Sequence, residues 1–183
     1  LINDNLDERK RRSGRDITIT EVGTRRQRDD IDADILQNAD LMAVAASDNV
    51  DIVIEVIGGT TLAKDVIMQA INNGKHVVTA NKALLAEHGN EIFAAAEANN
   101  VHVAYEAAVA GGIPIIKVMR EALAANKIDW LAGIINGTGN FIMTEMRDKG
   151  RPFAGVLAED QELGYAEAEP TFDVEGIDAA RSH

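Results

Sequence analysis

His76-Val77-Val78-Thr79-Ala80-Asn81-Lys82 decides how this chain folds. The run 76–79 is short and apolar, and it reads as a buried strand. A lysine follows where such a strand ends. In parallel α/β sheets, ligands bind just beyond the carboxyl ends of the strands. An amine in that place holds a phosphate or polarises a carbonyl oxygen. The plainer reading is a solvated lysine in a strand-to-helix turn. The neighbouring segments decide between the two.

Upstream, Asp51-Ile52-Val53-Ile54-Glu55-Val56-Ile57 is rich in β-branched residues and ends at Gly58-Gly59, as a second buried strand would. Residues 61–73 carry Leu62, Val66, Ile67 and Ile71 at helical spacing, and Gly74 stands where a helix cap belongs. Downstream, a helix is expected over 89–99 and a strand over 101–105. Strand and helix alternate with short links, the mark of a parallel, doubly wound sheet. Toward the start, residues 1–13 suit a helix and 16–22 alternate like a strand. Residues 23–38 are polar with little pattern, and Asp40 suits the cap of a short helix to 46. After Glu106 the pattern changes. Gly111-Gly112-Ile113-Pro114 reads as a turn opening a helix to about 125. A strand is expected over 128–135, a loop over 136–139, helices over 140–149 and 152–163, and a loop over 164–176. The boundary falls near 107–114 and divides the chain into 1–108 and 109–183.

The bulk composition narrows the function. The chain has 183 residues, 46% hydrophobic, so it has enough apolar content for a core. No apolar run approaches the roughly 20 residues of a membrane span, and residues 1–15 are too polar for a signal peptide. There is no cysteine, hence no disulfide, thiolate metal site or thiol nucleophile, which fits a cytoplasmic protein. A net charge of −12 opposes nucleic-acid binding. The first residue is Leu1 and the chain stops soon after a helix start, so both ends look cut.

A dinucleotide fold opens with a strand, Gly-x-Gly-x-x-Gly and a helix, and the glycines let the backbone approach the pyrophosphate. That fingerprint is missing. Gly137-Thr138-Gly139 is a partial look-alike, with Ile142 where the third glycine belongs. On this reading the first strand and its glycine loop would lie upstream of Leu1. The end of the second strand usually carries an acid for a ribose or basic residues for a 2′-phosphate. Here Arg25 and Arg26 stand there and favour NADP over NAD, against the plainer reading of a solvated basic loop. Most carboxylates of 159–178 should be solvated. Glu167 follows Gly164-Tyr165 in a turn and suits a substrate ammonium or hydroxyl. Asp173 suits the cap of a final helix. Asp178 lies inside it, one turn before Ser182, where a lysine would complete an acid–base pair. The histidines lack metal-ligand spacing, and His76 and His102 read as structural.

Several stretches together resemble homoserine dehydrogenases. They are 55–59, 74–84, 105–116, 133–141, 164–170 and 173–180, in order and over most of 51–180. The resemblance implies an α/β chain with an incomplete Rossmann-like parallel sheet, followed by the start of an α+β substrate and oligomerisation domain. It implies NAD(P)-dependent interconversion of L-homoserine and L-aspartate 4-semialdehyde, in the synthesis of threonine and methionine. Lys82 then lies near the cofactor and the reacting oxygen and acts with Asp178. Glu167 binds substrate, with Asp173, Gly137 and Thr138 in the same pocket. Gly58, Lys82, Arg25 and Arg26 serve the cofactor. A structural monovalent cation, held largely by backbone carbonyls, falls on Glu106, Val109, Gly111 and Ile113. The complete enzyme would be a homo-oligomer with a small-molecule substrate. The departures are the missing glycine fingerprint and Ser182, where the family carries a second lysine. They leave two rivals, another dehydrogenase on this scaffold and a non-catalytic remnant or binding domain. A sheet without its first strand should also be poorly stable alone.

Overall fold

The computed structural model describes residues 5–134 and 136–162. Two parallel ladders carry the chain. In the first, β1 (Glu21–Gly23) pairs with β2 (Leu36–Asn38). In the second, the order is β3 (Ile52–Glu55), β4 (His76–Thr79), β5 (Val103–Ala104). No pairing joins the two ladders among the described residues, so β1 and β3 each present one unpaired edge. The helices are α1 (Leu6–Ser13), α2 (Leu41–Ala46), α3 (Leu62–Asn72), α4 (Lys82–Ala98), α5 (Glu106–Val109), α6 (Ile115–Lys117), α7 (Gly137–Lys149) and α8 (Phe153–Glu162).

Period-two alternation builds the second ladder. Val53 and Glu55 are buried on one face of β3, whereas Ile52 and Ile54 are exposed on the other. The register sets Val53 beside Val77 and Val77 beside Val103. Helices α3 and α4 close over this apolar row. On α3, Ala63, Val66, Ile67, Ala70 and Ile71 recur at one-face spacing and are buried. On α4, Leu84, Ile92 and Ala96 do the same. These side chains share one core with Ala45 of α2. Gly74 takes a left-handed φ of 70° after α3 and turns the chain into β4. His76 and His102 stack at 5.4 Å, and His102 N–H donates to His76 Nδ1 at 3.0 Å, a structural use of both rings. In the smaller ladder, Gly23 packs closely against α2, and a Cβ there would lie 2.5 Å from Leu41 Cδ2, so that side chain would have to turn aside.

Several expectations need correction. The strand placed at 16–22 is limited to Glu21–Gly23, and 36–38, read as patternless, form its partner. The helix expected at 89–99 begins seven residues earlier, at Lys82. Asn81 caps it, and Gly89 is buried inside it, where an added Cβ would stand 3.5 Å from the Phe93 ring. The helix after Pro114 shortens to α6 and passes into one π-helical stretch, Val118–Ala122. The strand expected at 128–135 does not form over 128–134. That stretch has no regular structure, and Trp130 is 80% exposed. An extended segment becomes a strand only with a partner for its amides, and none pairs with it among the described residues. Residues 136–139 are not a loop but the cap and first turn of α7. α7 packs on α8, where Arg151 reaches Glu145 at 3.1 Å and also contacts Glu159. Lys149 and then Arg151 hold the Glu145 carboxyl below its usual range.

Ile71 is fully buried between the helices and the sheet. Ile71→Ala should lower the unfolding free energy by about 2–5 kcal/mol, whereas Val56→Ala, at a site 75% exposed, should change it by about 0.5 or less. Urea midpoints of the two variants check this contrast.

Candidate active site

The carboxyl ends of β3 and β4 meet at one polar cluster. The parallel register places Glu55 beside Thr79 on the helix-covered face. Both are buried, at 1% and 0% exposure. A carboxylate withdrawn from water is costly unless donors surround it. Here Oε2 accepts from the Thr79 hydroxyl at 2.6 Å. Oε1 accepts from the Ile57 and Gly58 amides at 2.7 and 3.2 Å. Thr79 Oγ1 in turn accepts from Asn81 N–H at 3.0 Å. Asn81 then works in two directions. Its Oδ1 caps α4 by accepting from Leu84 N–H at 3.1 Å, and its Nδ2 donates to the Gly59 carbonyl at 2.7 Å.

Gly58 and Gly59 turn the chain out of β3 with φ of 78° and 73°. Neither has an atom within 4 Å of where a Cβ would stand, so the turn borders open space. The Gly58 amide is engaged by Glu55, and what the glycines contribute to a ligand is a surface without side chains. Lys82 is the first residue of α4 and half-buried, next to this turn through Asn81. A cation there adds to the positive end of the helix dipole. The expectation for Lys82 and Gly58 thus meets a built corner of the fold. Sequence reading missed Glu55, Thr79 and Asn81 as its framework. The signal was a lone acid inside a β-branched run, which a buried strand tolerates only with partners.

The remaining candidates lie elsewhere. Arg25 and Arg26 are exposed just beyond β1, whereas Arg28 is engaged by Asp30 at 2.6 Å. Gly137 is exposed and Thr138 buried in the first turn of α7. Glu106, Val109, Gly111 and Ile113 fall within α5 and the turn after it. The Glu106 carboxylate accepts from Ile116 and Lys117 N–H at 2.7 and 3.1 Å and so anchors α6. No group of three or more His, Cys, Asp or Glu suited to a metal occurs among the described residues. Glu167, Asp173, Asp178 and Ser182 lie outside the described residues.

Parallel strands, crossover helices and a glycine turn beside a lysine at the strand ends define an α/β protein with a dinucleotide-binding type of fold. Residues 3–106 match the family model described as homoserine dehydrogenase, NAD binding domain, and 114–183 match homoserine dehydrogenase. The chain belongs to the homoserine dehydrogenase family. It is 61% identical over 177 residues to the homoserine dehydrogenase of Pseudomonas aeruginosa, covering 96% of this chain and 41% of that protein. It is 56% identical to that of Neisseria gonorrhoeae, covering 98% and 42%. The solved homoserine dehydrogenase of Thiobacillus denitrificans superposes with a TM-score of 0.89 at 54% identity, covering 99% of this chain and 42% of that one. A hyperthermophilic archaeal homoserine dehydrogenase in complex with NADPH superposes at 0.70 with 29% identity, covering 78% and 44%. The chain therefore spans about two fifths of the length of these relatives. No helix of the described residues is long and apolar enough to cross a membrane.

The Gly58 turn gives a direct test of the corner. Gly58→Ala meets no clash but forces a left-handed φ on an L-residue, at a cost of about 1–2 kcal/mol. Chemical denaturation should show that loss, and Gly58→Asn should show less of it.

Proposed function

We propose that this chain carries part of the dinucleotide crevice and the start of the substrate domain of an enzyme interconverting L-homoserine and L-aspartate 4-semialdehyde. The observation that carries the reading is Lys82, opening α4 beside the braced Gly58-Gly59 turn at the ends of β3 and β4. Relatives of the same name at 61% and 56% identity support it. The open backbone at Gly58 and Gly59 suits a dinucleotide lying across the strand ends. When bound, the nicotinamide supplies the hydride that turns the aldehyde into the alcohol. The Lys82 ammonium faces the oxygen on which negative charge grows and holds it there. Asp178 works with Lys82 on the proton at that oxygen. Glu167 and Asp173 hold the amino-acid end, with Gly137 and Thr138 beside them.

Arg25 and Arg26 at the end of β1 support a preference for NADP through its 2′-phosphate, with NAD as the alternative. A monovalent cation held by carbonyls of Glu106, Val109, Gly111 and Ile113 would brace the link between the two parts. Family matches that end at 106 and resume at 114 support a boundary near 108. A homo-oligomer in the cytoplasm completes the proposal.

In the full-length enzyme, Lys82→Ala should lower kcat by about 100-fold or more, on the scale of losing one preorganised charge. Unchanged turnover of homoserine would remove Lys82 from the mechanism. Replacing Arg25 and Arg26 together by Ala should raise the KM for NADPH about tenfold, the loss of a charge-assisted contact, with little effect on NADH. Equal changes for both coenzymes would return the arginines to plain surface.

A further inference from the structure

Glu55 is the one carboxylate among the buried residues of the described chain. Apart from Thr79 beside it, the helix-covered face of the sheet carries the apolar Val53, Val77 and Val103. A valine there would avoid the desolvation cost that a carboxylate carries. What the carboxylate does instead is join three segments. Starting from Glu55, hydrogen bonds run to the Ile57 and Gly58 amides. The chain passes to Gly59, whose carbonyl accepts from Asn81 Nδ2. Asn81 N–H donates to Thr79 Oγ1, and the Thr79 hydroxyl donates back to Glu55. The ring is closed. One side of it is the glycine turn after β3, the other is the cap of α4, and Lys82 is the next residue on.

We infer that Glu55 is a positioning residue, acting through Thr79 and Asn81 to hold the Gly58-Gly59 wall of the crevice at a fixed distance from the Lys82 ammonium. This rests on the functional reading above. The turn cannot shift against α4 without breaking a hydrogen bond of this ring, whose Glu55–Thr79–Asn81 side is buried. The crevice is therefore set before a ligand arrives, which is the condition under which a fixed charge accelerates a reaction.

The test uses the full-length enzyme. Thr79→Val keeps the shape of the side chain and opens the ring, and Thr79→Ser keeps the hydroxyl. Thr79→Val should lower kcat by about tenfold or more, the scale on which a displaced catalytic group costs rate, and weaken NADPH binding in a fluorescence titration. Thr79→Ser should recover most of both. Asn81→Asp provides a second cut. It retains an oxygen to cap Leu84 and sets an anion against the Gly59 carbonyl, so α4 stays intact while the tie across the crevice is lost. It decides the matter if Thr79→Val does not fold. Folded Thr79→Val or Asn81→Asp enzyme with the parent's kcat and NADPH affinity would overturn the inference, as would Ser and Val variants with equal losses. A parent enzyme that binds NADPH but does not turn over homoserine would fault the functional reading instead.

Discussion

One register, β3 against β4, governs the useful part of this molecule. It pairs Val53 with Val77 and, one alternation later, Glu55 with Thr79. The first pair lies under α3 and α4 and belongs to the apolar core. The second lies at the strand ends and belongs to the site. A slip of one residue would carry Ile52 and Ile54 inward and Val53 and Glu55 out to the open face. The core and the crevice would be lost together. The core and the proposed site are thus coupled through four side chains on two adjacent strands.

The polar ring adds what the register alone cannot. Strand pairing fixes how β3 and β4 lie, but it says nothing about the turns that leave them. Those turns have few choices here. Two successive left-handed glycines leave β3, and an asparagine cap opens α4. Glycine is permissive and therefore poorly defined unless something else restricts it. The buried carboxylate supplies the restriction from below, where water does not compete.

What the sequence made legible follows the strength of local signals. β3, α3, β4 and the cap at Asp40 rest on β-branched runs, one-face spacing or a capping side chain, and each is found close to where it is expected. Lys82 was legible from its position alone. The start of α4 was not, because the signal that opens it is the Asn81 cap rather than an apolar period, and the buried Leu84 is its first core residue. Leu36-Gln37-Asn38 carries no β-branched residue, and its strand character comes wholly from pairing with β1. The reverse holds at 128–134, where an apolar stretch reads as a strand and the paired edge it needs does not lie among the described residues. Glu55 was visible as a letter but not as a framework. Its meaning depends on Thr79, 24 residues away, and only the register brings them together.

The second ladder also shapes how the chain acquires its structure. β3 and β4 are 24 residues apart in register, and β4 and β5 are 26 apart. Each closure spans one crossover helix and no more. Loop-closure entropy rises only slowly with length, by about 0.6 kcal/mol per doubling, so both steps are near the minimum that parallel pairing allows. Residues 52–104 therefore hold both pairings of this sheet within one contiguous stretch. Synthesis proceeds from the amino end, so the segment packed around Ile67, Ile71 and Leu84 emerges before the residues that follow it. The corner that holds Lys82 is in that respect a local product of the chain, made from segments within about one crossover of each other.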